Sequence, residues 1–257
     1  MLLFFVWLNL LFSAQDNILI NQTHDFFEVD HLGNIYLVQD SELLMFDSKG
    51  NKLHTYSNSL LGTISSVDIS DPLRILVFYR DFNQILFLDR KLAEIGGEID
   101  LYDVSENDTD LVCSSQSGGF WMYNSSDNQT IHISANGEKI NQSILLNSFF
   151  GESIPTQMIE YGNDLFLLFA EKGILKLDRN GQFLKKIQIP GINSFQVSLN
   201  GIRYTKNDNN LYQFLPNAKS DMILFTKPDS RNERLKINNN SVFISNGKSI
   251  MTTTFRN

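Results

Sequence analysis

The chain has 257 residues, 42% hydrophobic and 12% aromatic, enough for a sizeable core in one large all-β domain or two ordinary ones. Its formal net charge of −8 is spread along the sequence, which excludes the clustered basic face that nucleic-acid binding needs. Twenty Phe and eight Tyr against five Pro favour strands over a disordered chain.

Residues 1–14, MLLFFVWLNLLFSA, are apolar, and the first charge is Asp16. The run is shorter than the roughly 20 residues of a spanning helix and fits the apolar core of a secretory signal peptide, cleaved near Ala14. A buried N-terminal strand is the alternative. No Cys lies at the junction, so a lipid anchor is not expected. The expected product is a single domain over 15–257, exported, not transmembrane once the leader is removed, and placed in the periplasm or at the outer membrane.

After residue 15 the apolar runs are short and bounded by Asn, Asp, Gly and Ser: NIYLV, LLMFD, RILVFY, QILFLD, GFWMY, TIHIS, DLFLLFA, GILKLD, GIRYT, NLYQF, SVFIS, SIMTTTF. Turn signals every 8–12 residues predict an all-β sandwich, barrel or propeller. A longer period decides among these. Asp47, Asp89, Ser134 and Asp178 each open a similar turn between strands, with a weaker fifth near Pro216. Their separations of 42, 45, 44 and 38 residues fit four short strands per unit, the size of one propeller blade. An Asp that opens such a turn accepts backbone N–H groups, and Gly or Asn further on tolerates positive φ.

Units fall at 26–58, 64–102, 108–146, 156–190 and 194–226. A last unit, RLKINNNSVFISNGKSIMTTTF, has only three strands, while DNILIN near the N-terminus has no unit of its own. Pairing the two closes a ring of six blades and removes exposed sheet edges. Five or seven blades would follow from an error of one strand. Cys113, the only cysteine, permits no intrachain disulfide and reads as a small buried strand residue.

The second unit matches a known pattern through Ile64, Ser66, Val67, Asp68, Ile69, Pro72, Leu73, Ile75, Phe78, Tyr79, Asn83, Leu88, Asp89, Leu92, Glu94 and Ile95. This segment resembles exported Bacteroidota β-propeller proteins. The resemblance covers about an eighth of the chain; it implies a periplasmic or outer-envelope propeller and supplies no catalytic residues.

Chemistry is sparse. His24, His31, His54 and His132 are isolated, never at metal-ligand spacing, and no nucleophile elbow, zinc-binding pair or phosphate loop occurs. The acidic run DVSENDTD (103–110) lacks the spacing of a calcium loop and reads as a solvated connection between the second and third blades. Trp121 and Tyr123, on one face of a strand, form a candidate ligand or partner surface; the competing reading has them filling the gap between blades. The function expected is a non-enzymatic interaction or scaffold module with an envelope protein as partner, in its narrowest form an accessory of outer-membrane export machinery such as type IX secretion. The alternatives are a hydrolase or lyase with an axial divalent metal, for which Glu28 and Asp68 are the inner-strand candidates, and a carbohydrate-binding propeller. No cofactor is expected, with calcium the one ion the acidic residues would accommodate.

Overall fold

A computed structural model describes residues 17–208, 210–215, 220–226 and 234–254. The expected leader and the weak turn near Pro216 lie outside these residues. Among the described residues, twenty-four strands form six four-stranded antiparallel sheets. After β1 (Asn17–Asn21), blade 1 holds β2 (Phe26–Val29), β3 (Ile35–Gln39), β4 (Glu42–Phe46) and β5 (Lys52–Ser57). Blade 2 holds β6 (Ser66–Asp68), β7 (Ile75–Tyr79), β8 (Gln84–Leu88) and β9 (Glu94–Asp100). Blade 3 holds β10 (Leu111–Ser114), β11 (Phe120–Asn124), β12 (Gln129–Ile133) and β13 (Lys139–Gln142). Blade 4 comprises β14 (Gln157–Tyr161), β15 (Asp164–Phe169), β16 (Gly173–Asp178) and β17 (Phe183–Ile187). In blade 5 come β18 (Ile192–Ser198), β19 (Gly201–Lys206), β20 (Asn210–Leu215) and β21 (Ser220–Thr226). Blade 6 takes β22 (Arg234–Asn238), β23 (Ser241–Ser245) and β24 (Ser249–Thr254), with β1 paired antiparallel to β24 as its outermost strand. The protein is a six-bladed β-propeller closed by its N-terminal strand.

The core lies between blades. Middle strands such as β7 and β11 are buried at every position, because each face of a blade is covered by its neighbour. Strand alternation then sorts side chains by interface. Phe120 and Met122 join Leu76, Phe78, Ile85 and Phe87 of blade 2, whereas Trp121 and Tyr123 join Leu165, Leu167, Leu175 and Leu177 of blade 4. Six such clusters account for six interfaces. In the one that shuts the ring, Ile20 of β1 joins Phe243 and Ile250 of blade 6 and Phe27, Val29 and Leu37 of blade 1.

The recurrent turns follow their chemistry. Asp47 Oδ1 accepts N–H bonds from Lys49 and Asn51 at 2.9 and 2.8 Å; Asp178 does the same for Asn180 and Gln182 at 2.8 and 2.9 Å. Gly50 at φ +84° has a second duty, since a Cβ there would lie 2.3 Å from the Leu19 carbonyl oxygen, where β1 passes. In blade 2 the equivalent left-handed position holds Leu92, at φ +61°. A leucine there carries roughly 1–2 kcal/mol of strain, yet the side chain is buried in the cluster between blades 1 and 2. Burial wins: losing a buried leucine costs about 2–5 kcal/mol. Leu92→Gly should therefore lower stability by about 1–3 kcal/mol in urea unfolding, despite the relaxed backbone; a stabilised variant would show that strain dominates.

Candidate functional site

The six innermost strands surround an axial channel of 380 Å³, reached by Glu28, Asp68, Glu160, Gln157, Gln196 and Lys236. These strands have no sheet neighbour on the axis side, and polar side chains bridge the gaps between them. Glu28 Oε1 and Lys236 Nζ lie 2.6 Å apart, joining blades 1 and 6. Asp68 Oδ2 accepts from the Ser114 N–H at 2.8 Å, joining blades 2 and 3. Glu160 bridges blades 4 and 3: Oε1 accepts from the Gln116 N–H at 2.9 Å and Oε2 from Trp121 Nε1 at 2.5 Å. Gln157 pairs with both backbone groups of Phe195 at 3.0 and 3.1 Å, and Gln196 with those of Ile237 at 2.9 and 3.3 Å. The channel is thus laced at five junctions by side chains that satisfy inner-strand or turn groups.

Both axial candidates, Glu28 and Asp68, stand on inner strands as expected, but each carboxylate already serves a partner. Burial pushes the Glu28 carboxyl above its usual range; Lys236 opposes this and Asp68 adds to it. Asp68 Oδ1 also accepts from the Ser70 N–H at 2.8 Å. Among the described residues, no three His, Cys, Asp or Glu side chains are grouped to hold a metal ion. In the acidic connection 101–110, Asp108 accepts from the Tyr102 hydroxyl and Asp110 from the Ser125 N–H.

Trp121 and Tyr123 correct the expectation of an aromatic recognition surface. Both are fully buried against blade 4, because a middle strand has no solvent face. Trp121 stacks on His132 with ring centres 4.3 Å apart. His132 Nε2 lies 2.9 Å from Ser115 Oγ, which lies 2.9 Å from Ser117 Oγ. A serine beside a histidine resembles a nucleophile and base, but Ser115 is buried and His132 Nδ1 has no partner to orient the ring. Cys113 is equally inert, its thiol raised chiefly by burial.

Burial also holds His132 below its usual pKa, with Glu160 working against it. An unfolded His titrates near 6.5, so on acidification the unfolded chain takes up its proton first, and this contribution to stability is lost as pH falls through that value. The stability difference between wild type and His132→Phe should shift against wild type between about pH 7 and pH 5. A difference independent of pH would contradict the assignment.

The ends of the ring differ. Turns between first and second and between third and fourth strands form one face, here the turn face. The remaining connections form the loop face. Over blades 1–4 the loop face exposes Leu60 (84%), Phe82 (49%), Tyr102 (49%), Leu145 (52%) and Ile154 (54%). Its loops are bonded to one another. A Cβ on Gly62 would stand 3.2 Å from the Phe82 ring; the Leu101 N–H donates to the Asn83 carbonyl at 2.9 Å; the Thr109 N–H donates to Asn83 Oδ1 at 3.0 Å. Asn107 Nδ2 donates to Asp127 Oδ1 at 3.1 Å, and the Leu146 N–H to the Asn128 carbonyl at 2.9 Å. The apolar side chains therefore stand on a braced platform.

No family model matches the chain, and no curated protein is similar to it in sequence. Solved structures are similar in fold. A catalytically inactive virginiamycin B lyase from Staphylococcus aureus with quinupristin has a TM-score of 0.64 at 12% identity, over 95% of this chain and 97% of that one. The WD40 domain of Neurospora crassa Pan2 gives 0.60 at 12% identity, over 91% and 82%. BBS1N in complex with ARL6DN gives 0.57 at 11% identity, over 87% and 75%. At these identities the likeness establishes the propeller, a fold that serves an enzyme in one case and a protein complex in another. Among the described residues, no helix is long and apolar enough to cross a membrane.

Proposed function

We propose that the chain is a non-enzymatic interaction module that presents the loop face of blades 1–4 to a protein partner. The observation that carries this reading is the set of large apolar side chains, Leu60, Phe82, Tyr102, Leu145 and Ile154, exposed on loops held by hydrogen bonds. Exposed apolar groups on a fixed frame are what protein recognition uses, because little ordering entropy is lost on docking. The apolar run 1–14 and the resemblance over 64–95 support export to the envelope. A place beside outer-membrane export machinery is the narrowest form of this reading, supported by that resemblance alone.

A matched pair of variants tests it in envelope extracts. Leu60→Ser with Phe82→Ser should abolish recovery of the partner that wild type retains. Leu32→Ser with Leu199→Ser, exposed on the turn face, should leave it intact. Equal recovery by both variants, or loss only in the turn-face pair, contradicts the proposal.

A further inference from the structure

The charge of blades 1–4 is divided unequally between the two faces. Over blades 1–4, the connections of the loop face (40–41, 58–65, 80–83, 101–110, 125–128, 143–156 and 170–172) carry nine acidic side chains and two basic ones. Those of the turn face (30–34, 47–51, 69–74, 89–93, 115–119, 134–138, 162–163 and 179–182) carry five of each. Of the two loop-face cations, Arg80 already donates to the Asp110 carbonyl at 2.5 Å. The exposed apolar group Leu60, Phe82 and Tyr102 thus sits inside a field of one sign, with Asp81, Asp103 and Glu106 at its border.

Resting on the interaction reading above, we infer that the partner engages this face through a basic segment that also carries apolar side chains. The apolar centre supplies contact area, and the acidic border steers and selects by sign. A second copy docked face to face would oppose the two acidic fields, and a polyphosphate backbone would be repelled. A basic segment with leucine-like side chains meets both features at once.

The test uses the purified full chain and three fluorescent synthetic peptides of equal length: one of Lys and Leu, one of Lys and Ser with the same charge, one of Glu and Leu. The Lys/Leu peptide should bind tightest, weakening about tenfold or more between about 50 and 300 mM salt. Asp103→Asn with Glu106→Gln should weaken it roughly three- to tenfold, whereas Glu98→Gln with Glu138→Gln, an equal charge change elsewhere, should not. Phe82→Ser should weaken it about tenfold. Equal binding of the Glu/Leu peptide overturns the inference, as do equal effects of the two charge pairs or self-association that Phe82→Ser abolishes. If no peptide binds while extract recovery still depends on Leu60 and Phe82, the basic partner is refuted and the interaction reading stands. If both fail, both fall.

Discussion

Replacing Trp121 with alanine should lower the unfolding free energy by about 3–5 kcal/mol, the largest effect expected of a single side chain here. The indole is wholly buried between blades 3 and 4, stacked on His132, and its Nε1–H donates to Glu160. The lost volume dominates. Glu160 keeps the Gln116 N–H and lines the channel, so its carboxylate is not stranded. Trp121→Phe separates the two contributions, since most of the ring remains and only the hydrogen bond is lost; about 1–2 kcal/mol is expected. Urea unfolding at constant m-value measures both. A Trp121→Ala protein as stable as wild type would mean that the indole lies on a surface after all.

Closure of the ring predicts a sharp contrast within one five-residue strand. Ile20 and Ile18 both belong to β1, yet Ile20 is buried in the cluster between blades 6 and 1 and Ile18 is 65% exposed. Ile20→Ala should cost about 2–4 kcal/mol, and Ile18→Ala no more than about 0.5 kcal/mol. Without β1, strand β24 becomes an open edge and blade 6 loses its covalent path to blade 1, leaving only side-chain packing to hold the ring shut. Equal costs at the two positions would show that β1 does not seat as described.

Much of this architecture was legible because two short-range signals agreed. Short apolar runs bounded by turn residues gave the elements, and turns opened by Asp47, Asp89, Ser134 and Asp178 gave the period. Even the closure followed from counting, since a three-strand remainder at one end matched a lone strand at the other. The site was less legible, for a physical reason. The bonds that lace the channel run between blades: Gln157 meets Phe195 and Gln196 meets Ile237, partners 38 and 41 residues away. Nothing local marks them, since the first strands QMIEY and INSFQVS carry other polar residues as well. For Trp121 and Tyr123 the missed signal lay within GFWMY itself. A strand apolar on both faces has neighbours on both, and so offers neither face to a ligand. Leu92 shows the reverse case, where tertiary burial holds a leucine in a turn position that blades 1, 3 and 4 give to Gly50, Gly137 and Gly181. Sorting the acidic side chains by face required the strand order, because the charge looks evenly spread along the sequence.

Photo-crosslinking in intact cells tests the functional account most directly. A photoreactive phenylalanine analogue is placed at Phe82 on the loop face or at Leu199 on the turn face, both exposed. The account predicts a discrete protein adduct from position 82, none from position 199, and an adducted peptide in the partner rich in Lys or Arg. An adduct from position 199 alone, or an acidic adducted peptide at position 82, would contradict it.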